Sequence, residues 1–153
     1  MNRLALLVAL IALSACSSAP PGPRMTSSRV TSSMEADRLV QEAYAQLQAG
    51  SPPAAVRILE DVVRRFPDAP IHSQALYELA RALVLTANGG RDYRQATAHL
   101  DRLLREYPTS QHATDARALR AAIGAYVART AELERLLERL KAIDLEFERP
   151  LRP

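Results

Sequence analysis

The stretch Ala55-Val56-Arg57-Ile58-Leu59-Glu60-Asp61-Val62-Val63-Arg64-Arg65-Phe66-Pro67 decides the fold, because the chain writes its pattern twice. Ala55, Leu59, Val62 and Pro67 return as Ala96, Leu100, Leu103 and Pro108, a shift of 41 residues (96 − 55). Steps of four and three put the apolar positions of each set on one face of a helix. The proline then ends that helix, because it disfavours helical geometry in the residue before it.

Each of these helices has a predecessor. Leu39, Ala43 and Leu47 correspond to Leu76, Ala80 and Val84, a shift of 37 residues (76 − 39). The two shifts differ by the four extra residues of the loop that holds Asn88-Gly89-Gly90. A register kept on both sides of one insertion identifies a repeating unit of two antiparallel helices.

The ends of the helices follow from local chemistry. Ser32-Ser33-Met34-Glu35 fits a capping box, which starts the first helix at Ser32. Gly50 suits its C-terminal end. Ser51 is expected to cap the second helix, with Pro52 in its first turn. The third helix is expected over about Ile71 to Ala87. The fourth starts near Asp92, and the fifth runs from near Ser110 almost to Pro150, with Gly124 as a place for a kink. Ala, Leu, Arg and Glu dominate and no segment alternates β-branched residues, so the fold class is all-α: antiparallel helix pairs followed by a long C-terminal helix.

This pattern resembles the tetratricopeptide repeat (TPR), a helix–turn–helix unit of about 34 residues that stacks into a solenoid. Small residues (Ala43, Ala55, Ala80, Ala96) let paired helices approach, and Leu59, Leu76, Leu100 and Leu103 fill the space between pairs. Gly50-Ser51-Pro52-Pro53-Ala54-Ala55 resembles the turn of that family, with Pro52 where the family has Tyr; Asp92-Tyr93-Arg94-Gln95-Ala96 matches its second half. Tyr107-Pro108-Thr109-Ser110-Gln111-His112-Ala113-Thr114-Asp115-Ala116 is similar to the repeat junctions of envelope TPR proteins, and Phe66-Pro67-Asp68-Ala69 is a weaker copy. Such junctions occur in the TPR lipoprotein of the outer-membrane β-barrel assembly machine and in the periplasmic TPR protein that binds TolA. The likeness covers roughly Glu35 to Tyr126. It implies a concave surface made by the first helices of the repeats, to which Val40, Tyr44, Tyr77, Arg81 and Val84 would contribute partner-binding side chains.

Residues 1–15 read as a lipoprotein signal peptide: a basic start at Arg3, an apolar run Leu4–Leu13, and Leu13-Ser14-Ala15-Cys16. The apolar run is short of the ~20 residues that cross a bilayer. The last four residues resemble the bacterial lipobox, which implies cleavage before Cys16, a diacylglycerol on its thiol and an acyl chain on its new amino group. Ser17 in place of Asp resembles outer-membrane sorting. Residues 16–31, rich in Ser and Pro, read as the lipidated cysteine and a flexible tether. Residues 32–126 carry the helical repeats, and 127–153 the closing helix and tail. In that helix Leu133, Leu136, Leu140, Ile143 and Phe147 are spaced three, four, three and four. This is either a cap on the open end of the last repeat or a coiled-coil-like seam for a partner helix.

Several functions are disfavoured by composition. The net charge of +3 mixes both signs, with Lys141 the single lysine, so no basic stripe points to nucleic acid. Cys16 is the single cysteine, which rules out an intramolecular disulfide or a cysteine metal site. His72, His99 and His112 have no metal-ligand spacing and read as solvated or capping residues. No nucleophile elbow occurs. The reading is a non-catalytic adaptor without cofactor, metal or small-molecule substrate, tethered by lipid to the outer membrane, facing the periplasm and binding envelope proteins or peptides. The alternatives are an accessory lipoprotein of a two-component sensor kinase, on a short likeness over Leu140–Glu146, and a small envelope or peptidoglycan enzyme.

Cys16→Ala is expected to abolish incorporation of radiolabelled palmitate and to leave an unprocessed or unlipidated chain. Undiminished labelling would show that the lipid is attached elsewhere.

Overall fold

A computed structural model describes residues 25–86 and 90–147. The signal segment, Cys16, the tether as far as residue 24 and most of the loop at Asn88-Gly89 lie outside them. Five helices follow in order: α1 (Met25–Gln48), α2 (Pro52–Arg65), α3 (His72–Leu85), α4 (Gly90–Glu106) and α5 (Ala113–Phe147). Among the described residues there is no strand. Consecutive helices pack on each other, α1 on α2, α2 on α3, α3 on α4 and α4 on α5, as in a helical repeat.

The repeat register is visible in the core. Ala43, Ala55, Ala80 and Ala96 are all buried, and so are Leu59, Val62, Leu76, Leu79, Leu100 and Leu103. Helix axes approach to roughly 8–10 Å according to the side chains at the contact, and a methyl group permits the near end of that range. Leu39, Leu47 and Val84 pack half-buried at the edge of the same cluster.

Helix ends depart from expectation in three places. The first helix begins at Met25, not at a capping box on Ser32, and residues 25–31, read as tether, continue it. Pro23 is the last residue able to break it. Beyond that point neither Gly nor Pro intervenes, and extending an existing helix is easier than nucleating one. Glu35 is engaged outside its own helix, accepting a hydrogen bond from Arg65 of α2 at 2.7 Å. At α2 the Ser51 hydroxyl makes no capping bond. Its carbonyl instead accepts the Ala54 and Ala55 N–H groups at 3.1 and 3.3 Å, while Gly50 turns the chain at φ +72°. The third departure is the start of α5, at Ala113 and not near Ser110; the helix then runs on through Gly124 as one 35-residue element, as expected.

The two proline junctions meet. Tyr107 donates a hydrogen bond to the Pro67 carbonyl at 3.4 Å, and its ring lies 5.8 Å from that of His72. His72 is not solvated or capping but fully buried. Its Nδ1 stands 3.1 Å from the Phe66 carbonyl oxygen. A carbonyl can only accept, so Nδ1 carries the proton and Nε2 is bare. Among the described residues Nε2 has no hydrogen-bond partner. A second proton there would place an unpaired charge in the core.

Burial, and then the Arg102 guanidinium, hold His72 below the ordinary imidazole value, and the same two causes lower His99. Between the depressed folded value and the unfolded value of about 6.5 the unfolded chain binds more protons. Stability is therefore complete above about pH 6.5 and is lost as the pH falls below it. Thermal melts from about pH 7.5 down to about pH 5 are expected to show a falling midpoint, and His72→Leu a shallower slope whose remainder belongs to His99. Equal slopes would show that His72 takes up no proton on unfolding.

Candidate functional site

The first helices of the repeats, α1 and α3, and the entry to α5 are joined by one network of polar and aromatic side chains. At its centre is Glu78 of α3, only 3% exposed. Its two oxygens are separately engaged. Tyr44 of α1 donates to Oε1 at 2.6 Å, and Arg81, one turn further along α3, donates to Oε2 at 2.9 Å. Gln74 donates to the Tyr44 hydroxyl at 3.2 Å, so that hydroxyl both gives and receives. Burial, and then the bond to Glu78, push the Tyr44 phenol above its usual range and keep it a donor. Tyr77 stacks on His112, with ring centroids 5.5 Å apart and 19° between planes. The Arg81 guanidinium lies 5.8 Å from the centre of the Tyr77 ring.

Geometry along α3 explains this order. Gln74, Glu78, Arg81 and Leu85 follow at steps of four, three and four, and share one side of the helix. Leu76, Leu79, Ala80 and Leu83 lie on the buried side. Glu78 sits at the boundary, where α1 closes over it and Tyr44 can reach.

The five positions expected on the binding face separate into three groups. Val40 is fully buried in the core and presents nothing to a partner. It lies four residues before Tyr44 on the same side of α1, but sits within the core cluster where Tyr44 stands at its edge. Tyr44, Tyr77 and Val84 are half-buried, packed at the edge of the core. Arg81 is exposed. Packing and availability are thus combined at the tyrosines. Three contributors were not legible from the sequence. Glu78 and Gln74 look like ordinary polar helix residues, and Leu85, 62% exposed beside Arg81, looks like a core position. Periodicity could have flagged Leu85, which falls four residues past Arg81 on the same side.

A second concave feature, of about 760 Å³, lies between the start of α1 and the α2–α3 junction, lined by Arg29, Val30, Ser33, Phe66 and Pro67 among others. Arg65 stands at its rim, bonded at 2.7 Å to both Glu35 and Asp61. Among the described residues no three His, Cys, Asp or Glu side chains gather as metal ligands. No helix of the described residues is long and apolar enough to cross a membrane.

A face of this kind, built on stacked antiparallel helix pairs, belongs to a helical-repeat protein. The family model described as YfiO, outer membrane lipoprotein, matches residues 32–144, and the chain belongs to that family. It is thus an outer-membrane lipoprotein of TPR type. No curated protein matches it.

The buried carboxylate makes a sharp prediction. Glu78→Ala removes hydrogen bonds to a charged acceptor and is expected to cost about 2–3 kcal/mol in urea unfolding. Glu78→Gln keeps the shape and an acceptor for Tyr44 while losing an ion pair to an exposed arginine, and is expected to cost about 1 kcal/mol or less. Equal costs would show that the charge itself, not the hydrogen-bonded shape, holds α1 to α3.

Proposed function

We propose that this chain is an adaptor on the periplasmic side of the outer membrane, held there by lipid on Cys16 and binding other envelope proteins along its first helices. The observation that carries the reading is the α3 surface, where Arg81 and Leu85 are exposed beside Tyr77 while Glu78 holds Arg81 in a fixed orientation. A guanidinium placed in advance loses less freedom on binding than a free one. Arginine and tyrosine are also residue types that concentrate binding energy. The family match supports an envelope protein as partner. The reading assigns no catalysis, no cofactor beyond the anchor and no small-molecule substrate.

The test uses Arg81→Ser together with Leu85→Ser. Leu85 is exposed, whereas Arg81 pairs with the buried Glu78, so the melting temperature is expected to fall slightly while helical content at the assay temperature holds. Capture of envelope proteins by the tagged, detergent-solubilised chain is expected to fall roughly tenfold or more. Undiminished capture by a folded variant removes this face from the binding surface.

A further inference from the structure

The second half of α5 is bare. Its first half packs on α4 through Ala116, Leu119 and Ile123, and Arg120 pairs with Asp101. Past Ile123 no described side chain is buried, and Leu133, Leu136, Leu137, Leu140 and Ile143 are between 46% and 59% exposed. A helix that capped the last repeat would hide these residues, so the capping alternative is excluded for them. Three to four turns of leucine-rich stripe are left facing solvent, which is unusual for a soluble surface.

We propose that this stripe pairs with the same stripe of a second copy of this chain, in a parallel, in-register two-helix seam. Leu133 and Leu140 fall on a positions and Leu136 and Ile143 on d positions of a heptad, and Phe147 continues it as the next a. The flanking charges select the occupant. In a parallel pair a g residue meets the e residue five places further along on the other chain. Arg139 is at g and Asp144 at e, so two copies form two opposite-charge contacts, related by the two-fold axis. The other g–e contact of the stripe joins Glu132 to Leu137 and places no like charges together. An antiparallel pair that sets Leu133 against Ile143 brings Arg139 against its own counterpart, which is unfavourable. Glu134, Arg135, Glu138 and Lys141 fall on b, c and f positions on the outer side of the helix, where Lys141 already pairs with Glu138 at 2.8 Å. Self-complementary flanks on an uncovered apolar seam fit a second copy better than an unrelated helix, whose charges would have no reason to match this spacing.

The experiment uses the full chain in its own membrane. With Leu136→Cys, mild oxidation is expected to give a covalent dimer of twice the chain's mass, absent from the unsubstituted chain. A disulfide needs Cα atoms within about 7 Å, which facing d positions of a parallel seam satisfy and an antiparallel seam does not. Leu140→Cys repeats the test at an a position, in case the first change weakens the seam. On the Leu136→Cys background, Arg139→Asp or Asp144→Arg alone is expected to lower the dimer yield roughly tenfold, and the two together to restore it, because the contact is rebuilt with its sign reversed. A partner of different sequence cannot show that rescue. Absence of dimer from both cysteine variants, a cross-link to a polypeptide of another mass, or a yield indifferent to the charge changes would each overturn the proposal.

Discussion

Two helices can lie against each other only as closely as the side chains between them allow, and in this protein the limit is set by alanine. Ala43, Ala55, Ala80 and Ala96 are buried at corresponding places of the two repeats. Each leaves only a methyl group in the contact, so the larger residues around it, Leu59, Leu76, Leu100 and Leu103, can interlock at interior density. The succession of helix on helix depends on this spacing. So does the position of every residue on the exposed side, because a rotation of α3 by one residue would exchange Glu78 for Leu79 at the contact with α1.

Glu78 is the point where packing and surface chemistry meet. A buried carboxylate is tolerated because both oxygens are engaged, one by Tyr44 across the helix pair and one by Arg81 at the rim. The same two bonds fix the orientation of a tyrosine and an arginine on the first helices. A network that lowers the cost of burying a charge therefore also prearranges the face available to a partner. The proline junctions are tied in a similar way. His72 and Tyr107 bind the turn of one repeat to that of the next, at the expense of a bare ring nitrogen in the core.

The chain divides its apolar residues between two uses. Those of α1 to α4 and of α5 as far as Ile123 make the core, whereas those from Leu133 onward are left for a surface. The division follows from geometry. A 35-residue helix is about twice the length of the helices beside it, so half of it has nothing to lie against. Charged residues on the outer side keep that half soluble, and the leucines remain on the other.

The sequence by itself determined the repeat, because a periodic apolar pattern with proline ends is local information: Ala55, Leu59, Val62 and Pro67 and their copies carry it without any knowledge of the rest of the chain. It also determined α2 and the turn at Gly50, where proline and glycine restrict the backbone directly. Start signals were less decisive. Ser32 and Glu35 can cap a helix, but they do not compel one to start when seven helix-compatible residues precede them, and Ser51 caps with its carbonyl instead of its hydroxyl. The binding face was legible only in outline. Repeat position makes Arg81 the counterpart of Tyr44 and puts Val40 one turn before Tyr44 on the same face, yet Val40 is buried and Arg81 exposed, because burial depends on which neighbouring helix arrives and at what distance. The same holds for Glu78, an unremarkable residue until α1 closes over it, and for Leu133 to Ile143, whose spacing suits a cap and a seam equally well. Only the tertiary structure, in which α4 ends before those leucines begin to need cover, decided between them.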